Sequence, residues 1–387
     1  MTSNDRASRP LRECGQFCSG GTPSKADASL WRGSLPWFSS KEIKTFDLRD
    51  SELHVSERAA SSGTTLVPSG TVLFVVRGMS LANEFRVGVT TGPATFNQDV
   101  KALIPAPDVH GRYLARCLRW MEPRILGMTE SSTHGTKRLP SGAFEGLPIP
   151  LPSLPEQRRI ADILDKADAI RRKRKQAIAL TDQLLRSTFL EMFGDPVTNP
   201  KGFSSAILAD VAVFRSGDFL PARAMDKDGI YPVYGGNGIT GFHGSYMFQE
   251  PMVVIGRVGV YCGATHLTKE KSWITDNALY IASMSPSLTK TYLYHALVKA
   301  NLNQYASQSA QPLISGSRIG QIPMLIPPLP VQGRFEELVR RHDSLSMRQR
   351  QSEEYATQLF SALADRSFRG ELTRTEPAGR QLSMFNK

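Results

Sequence analysis

The chain repeats part of its own sequence, and this repeat constrains the fold more than any other feature. Residues 147–195 align with residues 322–370 without a gap, at an offset of 175 positions. The copies open with the proline-rich stretches LPIPLPSLPEQRRI and IPMLIPPLPVQGRF. Two copies of one unit predict two similar substructures related by pseudo-twofold symmetry. The identical pairs include Pro148/Pro323, Pro152/Pro327, Leu154/Leu329, Pro155/Pro330, Gln157/Gln332, Arg159/Arg334, Asp168/Asp343, Gln183/Gln358, Leu184/Leu359 and Phe193/Phe368.

Each copy continues into a long stretch whose apolar positions alternate three and four apart, which predicts a helix with a single seam. Proline suits the first turn of such a helix, because it fixes φ and its missing N–H is not needed there. A helix of about 35 residues would be about 50 Å long. Two such helices most simply pack on each other, although each could pack on its own domain instead. The seam residues singled out here are Ile160, Ile163, Ile170 and Leu184, and then Phe335, Leu338, Leu345 and Leu359.

Two features inside the predicted helices allow more than one interpretation. The run RRKRK at 171–175 fits a solvated helix face, or else a contact with phosphate or with a partner. Gly333 stands where the first copy has Arg158. Because glycine weakens a helical turn, we expect the second helix to begin later or to offer different partner contacts.

The segments that precede the two helices also correspond. LRECGQFCSGGTPSK begins at Leu11 and LADVAVFRSGDFLPA at Leu208, and each is followed by a strand-like run beside arginine and glycine, TVLFVVRGMS or PMVVIGRVGV. The predicted plan is therefore domain, helix, domain, helix. The predicted divisions are a first domain at 1–146, a proline-rich segment and helix at 147–194, a second domain at 195–321, a second such segment and helix at 322–370, and a tail at 371–387.

The charge favours a polyanionic partner such as nucleic acid, since the chain has a net charge of +11 and a pI near 9.6. It contains no run of 18 or more apolar residues and no leader-like N-terminus, so a cytoplasmic protein without membrane contact is expected. Cys14 and Cys18 have the spacing of two zinc ligands, but no second Cys/His pair follows. We therefore expect buried thiols and no metal site.

The common catalytic motifs are missing from the sequence. It contains no G-x-x-x-x-G-K-[ST], no H-E-x-x-H, no G-x-S-x-G, and no Asn/Asp-Pro-Pro-aromatic stretch of the kind that amino-group methyltransferases use. Glu42 and Lys44, with Asp27 upstream, resemble a nuclease triplet, but this spacing is common by chance. The sequence therefore predicts no catalytic residue.

Several stretches resemble the specificity subunit of type I restriction–modification systems. The resemblance rests on SGGTPS (19–24), HGTKRLPSGAFEGLPIPLPSLPEQRRIADILDKADAIRRKRKQ (134–176), LLRSTFLEMFGDPVTNPKGF (184–203), YPVYGGNGITGFH (231–243) and SFRGEL (367–372). It implies an α+β chain in which two mixed α/β target-recognition domains are joined by two long antiparallel helices that form a coiled coil. The family's specificity subunit is itself not catalytic.

The resemblance also implies partners. Each recognition domain would read one half of a bipartite site on double-stranded DNA, and the helical pair would set the gap between the halves. Two modification subunits that methylate adenine would bind to the helices, and the full complex would also contain two restriction subunits that translocate and cleave DNA. S-adenosylmethionine, ATP and Mg would belong to those subunits, with no cofactor in this chain. The helix residues assigned to partner or spacer roles are Gln157, Arg159, Ile160, Ile163, Ile170, Leu184, Gln332, Phe335, Leu338, Leu345 and Leu359.

Five residues are candidates for contact with DNA: Arg77, Lys137, Arg138, Asn237 and Arg257. Arginine suits guanine and asparagine suits adenine in the major groove, while lysine and arginine also suit phosphates. For each residue the alternative is a structural turn or an ordinary surface charge. Because the two domains differ in sequence, an asymmetric target is expected.

Other functions fit parts of the pattern. The chain could be a stand-alone DNA-binding or anti-restriction protein, or a recognition region that has separated from a single-chain restriction–modification enzyme. A coiled-coil scaffold without a nucleic-acid role would show no salt-sensitive DNA binding.

Overall fold

A computed structural model of the chain describes residues 8–131, 135–196, 198–226, 228–307 and 312–372. Apart from its first two residues, the predicted tail at 371–387 lies outside these ranges. The chain divides into two compact units, of which unit 1 comprises Met1–Arg174 with Ser352–Lys387 and unit 2 comprises Lys175–Gln351. Each unit thus combines one domain with part of both long helices. Within the described ranges, no helix is both long enough and apolar enough to cross a membrane.

Unit 1 is built around a five-stranded sheet with the order β2-β10-β6-β8-β4 and a helix, α2, whose buried face packs on it. Strand β6 is buried throughout and reads VLFV, as expected for a central strand with both faces covered. Its strands are β1 Ser8–Pro10, β2 Gly15–Ser19, β3 Leu35–Phe38, β4 Asp47–Leu48, β5 His54–Val55, β6 Val72–Val75, β7 Arg77–Gly78, β8 Val87–Thr90, β9 Thr95–Phe96, β10 Val100–Pro105, β11 Glu130–Ser131, β12 Lys137–Arg138 and β13 Pro148–Pro150. Its helices are α1 Glu57–Ser62, α2 Gly111–Trp120, α3 Glu122–Leu126, α4 Ser141–Glu145 and the start of α5 Leu154–Phe193.

Unit 2 repeats this plan with a four-stranded sheet of order β15-β21-β18-β19 and the helix α7. The strand β18 reads VVIG and is fully buried, like β6 in unit 1. Its strands are β14 Ser204–Ile207, β15 Ala212–Ser216, β16 Tyr231–Gly235, β17 Gly238–His243, β18 Val253–Gly256, β19 Thr265–Leu267, β20 Trp273–Ile274, β21 Ala278–Met284 and β22 Pro323–Ile326. Its helices are α6 Leu208–Val211, α7 Lys290–Ala300, α8 Gly316–Ile319 and the start of α9 Leu329–Arg369.

The repeated proline-rich stretches form edge strands. In unit 1, β13 pairs antiparallel with β1, and in unit 2, β22 pairs antiparallel with β14. Proline is tolerated at a sheet edge because the missing N–H faces away from the ladder. Each proline-rich stretch therefore closes its domain onto the first strand and then leads directly into a long helix.

The two long helices run antiparallel, as the resemblance implied. In unit 1 the Arg171 guanidinium lies 4.9 Å from the ring centre of Phe360, and Arg174 donates a hydrogen bond to the Ser352 carbonyl. In unit 2, Asp182 lies 3.1 Å from His342, and the rings of Phe189 and Phe335 are 5.3 Å apart. In both units the residue number falls along α9 as it rises along α5. The expectation of a mixed α/β fold with paired long helices is confirmed.

The second helix begins where the repeat predicts, and the expectation of a delayed start was wrong. Helix α5 begins at Leu154 and α9 at Leu329, which are equivalent positions of the repeat. Gly333 lies inside α9, and a Cβ placed on it would meet no atom within 4 Å. The buried side chain of Gln332, next to Gly333, makes three hydrogen bonds that hold this turn in place despite the glycine.

The predicted seam needs a correction, because several of its residues are exposed. Ile160 and Phe335 are buried as expected, but Ile170, Leu184, Leu338, Leu345 and Leu359 are exposed, and Ile163 is only half-buried. In α5 the inward positions include Leu164, Asp168, Phe189 and Phe193 instead. Each helix must pack on a domain as well as on the other helix, so its buried stripe is rotated by about one residue from the simple heptad pattern.

Candidate nucleic-acid interface

Three of the predicted DNA-contact residues meet in one small sheet of unit 1. Strand β12 pairs with both β11 and β7, and its register sets Arg138 opposite Arg77 and Lys137 opposite Gly78. The sequence separates these residues by about 60 positions, and the sheet brings them together. Arg77 and Arg138 are exposed, and Lys137 is half-buried.

The polar contacts of these cations are weak. Arg138 pairs with Glu130 at 3.0 Å, Lys137 donates to the Ser131 hydroxyl at 3.0 Å, and Arg77 lies 4.0 Å from Asp99. Exposed ion pairs of this kind contribute little to stability and exchange readily with another anion. The side chains of Arg77, Lys137 and Arg138 can therefore contact DNA phosphates or base edges instead.

In unit 2 the structure brings Asn237 and Arg257 to one end of the domain. Asn237 is exposed in the turn between β16 and β17, and Arg257 directly follows β18. The turn lies so close to the end of β18 that a Cβ on Gly256 would be 2.1 Å from the Gly236 carbonyl oxygen. Glycine is required there because any side chain would collide with backbone.

Arg257 is held by its surroundings rather than freely exposed. Its Nη1 donates to the Ser216 hydroxyl at 3.3 Å, and its Nε is buried without a hydrogen-bond partner among the described residues. Ser216 ends β15 and was not singled out from the sequence. The signal that could have revealed it is the motif RSGD, which corresponds to CSGG in the first domain.

The backbone hydrogen bonds define which positions of the two domains are equivalent. In unit 1 the Val76 N–H donates to the Asp99 carbonyl, and its own carbonyl accepts from Leu139, both at 2.9 Å. In unit 2 Arg257 makes the same two bonds, with Asn277 and Ile314, also at 2.9 Å. Arg257 is therefore equivalent to Val76, and Arg77 is equivalent to Val258.

The two arginines are consequently not counterparts, although both stand beside glycine after a strand. Successive residues of a strand point to opposite faces, so a shift of one residue changes the face. Arg77 is exposed opposite Arg138, whereas the matching bridge in unit 2 joins Val258 to Leu313. The two candidate surfaces share one backbone frame and differ in chemistry.

A buried glutamine attaches each long helix to its domain. The Gln157 Oε1 accepts from the His110 N–H at 2.8 Å, and its Nε2 donates to the carbonyls of Asp108 and Pro152 at 3.0 and 2.9 Å. Gln332 repeats the arrangement with the Thr289 N–H at 2.7 Å and the carbonyls of Ser287 and Pro327 at 2.8 and 2.7 Å. In both units the glutamine accepts a hydrogen bond from the backbone N–H of the residue that precedes the domain helix, α2 or α7.

A tyrosine and a phenylalanine complete this attachment. Tyr113 donates to the Pro150 carbonyl at 2.6 Å and packs 5.5 Å from Phe368, near the end of α9. In unit 2, Tyr292 donates to the Leu325 carbonyl at 2.9 Å and packs 4.7 Å from Phe193, at the end of α5. The repeat identities Gln157/Gln332 and Phe193/Phe368 thus belong to one attachment built twice.

The attachments differ in their electrostatics. In unit 1, Arg116 is buried and pairs with Asp165 at 2.8 Å and Asp168 at 3.1 Å. Burial alone would raise the pKa of Asp168, but Arg116 and Arg171 together hold it below its ordinary value. The corresponding residue of α7 in unit 2 is His295, which lies 5.1 Å from the ring of Phe335, and burial lowers its pKa to about 4.

The remaining candidates from the sequence have local roles. Arg159 is exposed and lies 3.8 Å from Glu156. Asp27 accepts from the Ser29 N–H at 3.0 Å, and Glu42 accepts from the Ser39 N–H at 2.9 Å, so both carboxylates of the nuclease-like pattern brace loops. In the described part of the chain, no group of three or more His, Cys, Asp or Glu side chains could hold a metal ion.

Comparison with known proteins decides the family. The model of the Type I restriction modification DNA specificity domain matches residues 5–180 and 200–353, which is most of the chain and includes both domains. The chain belongs to this specificity family. The double match agrees with the attachment that the structure contains twice.

Individual specificity subunits are also similar to this chain. The Type I restriction enzyme EcoR124I/EcoR124II specificity subunit of Escherichia coli is 33% identical over 164 residues, or 42% of this chain and 41% of the relative. The EcoprrI specificity subunit of Escherichia coli is 25% identical over 365 residues, or 87% of each chain. A crystal structure of the S subunit of a type I restriction–modification system from M. genitalium has the same fold, with a TM-score of 0.61, 16% identity, and coverage of 95% of this chain and 98% of that one.

Proposed function

We propose that this specificity-family chain is the non-catalytic subunit that selects the DNA target of a type I restriction–modification complex. The observation that carries the proposal is the doubled attachment, in which each domain is fixed to both long helices by the same glutamine, tyrosine and phenylalanine. A domain fixed in this way can present its reading surface in a defined orientation.

Each domain would read one half of a bipartite site. Unit 1 offers two arginines and a lysine, which suit guanine edges and phosphates, and unit 2 offers Asn237 with Arg257, which suit adenine and guanine. Because the two surfaces differ, the two half-sites would differ in sequence. The chain's net charge of +11 would add attraction to DNA that weakens as salt is raised.

The helices would bind the partner subunits through exposed apolar side chains that follow the repeat. The three equivalent pairs, each offset by 175 positions, are between 48% and 66% exposed. A pseudo-twofold repeat of such positions suits two copies of one partner, because each copy would meet the same pattern. The pairs are Ile170/Leu345, Leu180/Tyr355 and Leu184/Leu359.

The chemistry would reside in those partners. Two modification subunits would methylate adenine with S-adenosylmethionine, and two restriction subunits would use ATP and Mg to translocate and cleave DNA. This chain is assigned no cofactor and no catalytic side chain. Its own residues would select the DNA sequence and hold the partners beside it.

Methylome sequencing of a host that carries this gene with its neighbouring modification gene tests the proposal. We expect a bipartite, asymmetric motif with methyladenine in both halves, which disappears when this gene is deleted. Replacing residues 1–146 with another family member's first domain should change one half of the motif only. A motif that is continuous or palindromic, or that survives deletion, would overturn the proposal and favour a stand-alone DNA-binding or anti-restriction protein.

A further inference from the structure

Each domain carries an exposed apolar side chain directly after a glycine of positive φ, and a candidate DNA-contact arginine precedes that glycine in the chain. In unit 1, Met79 follows Gly78 and is 75% exposed, and in unit 2, Val260 follows Gly259 and is 85% exposed. The backbone equivalence of Val76 with Arg257 makes Met79 and Val260 equivalent as well. The two domains therefore both expose an apolar residue at the same place of the fold, although the residue itself differs.

The two glycines fix the backbone that leads into these residues. Gly78 has φ +151° and Gly259 has φ +81°, which only glycine adopts without strain. Upstream of each glycine lies a completely buried strand, β6 in unit 1 and β18 in unit 2. Met79 and Val260 each lie four residues beyond the end of that buried strand, with Arg77 two residues before Met79 and Arg257 three residues before Val260.

We propose that Met79 and Val260 read thymine, each by contact with a thymine C5-methyl group in the major groove of its own half-site. The inference rests on the proposed function. Among the groups that bases present in the major groove, the thymine methyl is the apolar one, and an aliphatic side chain is its complement. The neighbouring arginines supply donors for the adjacent base or phosphate.

Insertion between stacked bases explains these exposed side chains less well. The side chains that kink DNA in this way are long or broad, such as Phe, Leu, Ile, Met and Pro. Val260 ends one carbon beyond its Cβ and is too short for such a wedge. Both Met79 and Val260 are long enough to contact a methyl group. This contact therefore accounts for an exposed apolar residue at the same position in both domains.

The test combines a DNA change with a protein change. The complex of this chain with its modification subunits is titrated with duplexes of the motif found by methylome sequencing, in which each thymine is replaced in turn by deoxyuridine. In the wild type, loss of one methyl in each half-site should weaken binding about fourfold. Met79→Ala should abolish the effect in one half-site and Val260→Ala in the other, with the unmodified duplex then bound about as weakly as the deoxyuridine duplex.

Matched controls are Leu53→Ala in unit 1 and Ile230→Ala in unit 2, which also remove exposed apolar side chains. Both should retain the wild-type response to deoxyuridine. The inference is overturned if no deoxyuridine weakens binding, or if the sensitivity persists in the alanine variants. Methyl-independent loss of affinity with reduced DNA bending in Met79→Ala would indicate a wedge instead. A wild-type complex that binds no bipartite site would refute the proposed function itself.

Discussion

Replacing Gln157 with leucine should loosen unit 1 and leave unit 2 unchanged. Leucine nearly fills the volume but makes none of the three hydrogen bonds of the amide, so the His110 N–H and the carbonyls of Asp108 and Pro152 lose their partner. Each buried bond contributes about 1 kcal/mol net, and unsatisfied buried groups add to the cost. The free energy of unfolding of unit 1 should fall by about 3 kcal/mol, or by more if no water reaches the unpaired N–H and carbonyl groups.

Hydrogen exchange measured by mass spectrometry resolves this loss by unit. About 3 kcal/mol corresponds to roughly 100-fold faster exchange of the most protected amides in α2. Amides of α7 should exchange at the wild-type rate. Gln332→Leu should give the reverse pattern, because its three bonds lie in unit 2.

Gln183→Leu is the matched control, because Gln183 is an exposed glutamine of the same helix as Gln157. It should change exchange in neither unit. The reasoning is refuted if Gln157→Leu accelerates exchange in α2 by less than about fivefold, or if α2 and α7 respond equally. Either result would mean that the helix is attached mainly by apolar packing.

Three further predictions concern stability and binding. Gly333→Ala should increase the free energy of unfolding of unit 2 by about 0.5–1 kcal/mol, because the added Cβ meets open space in a helix. The melting temperature of unit 2 should rise accordingly, and a lower melting temperature would contradict this. The pKa of His295 is lowered by burial from 6.5 to about 4, so unit 2 should lose stability as pH falls from about 6.5 towards 4, and His295→Phe should remove this dependence in thermal unfolding measured across that range. Lys137→Ala should make the decrease of log affinity with log salt concentration shallower by about one in DNA titrations. An unchanged slope would mean that Lys137 does not contact a phosphate.

Repetition along the chain predicted two domains and two long helices, and the family resemblance added that the helices run antiparallel. This prediction rested on the repeat at an offset of 175 residues, on the prolines before each copy, and on the apolar residues at helical spacing. These features are readable because they are local or periodic, and a helix or a proline-rich strand follows from neighbouring residues. The family resemblance rested on the same stretches and is confirmed by the match over 5–180 and 200–353.

The sequence did not predict which face each long helix buries. The heptad pattern pointed to Leu184 and Ile170, yet the structure buries Phe189 and Asp168. Asp168 is polar and gives no apolar signal, and its burial depends on Arg116, which lies 52 residues earlier in the chain. Pairings over such distances are decided by tertiary packing.

The candidate reading surfaces show the same division. From the sequence alone, arginines beside glycines indicated where each domain could meet DNA. Only the sheet register showed that Arg77 lies opposite Arg138 and that Arg257 corresponds to Val76. Strand neighbours come from distant parts of the chain, and a shift of one residue reverses the face that a side chain occupies. The sequence thus determined which elements form, and the tertiary structure decided which side chains share a surface.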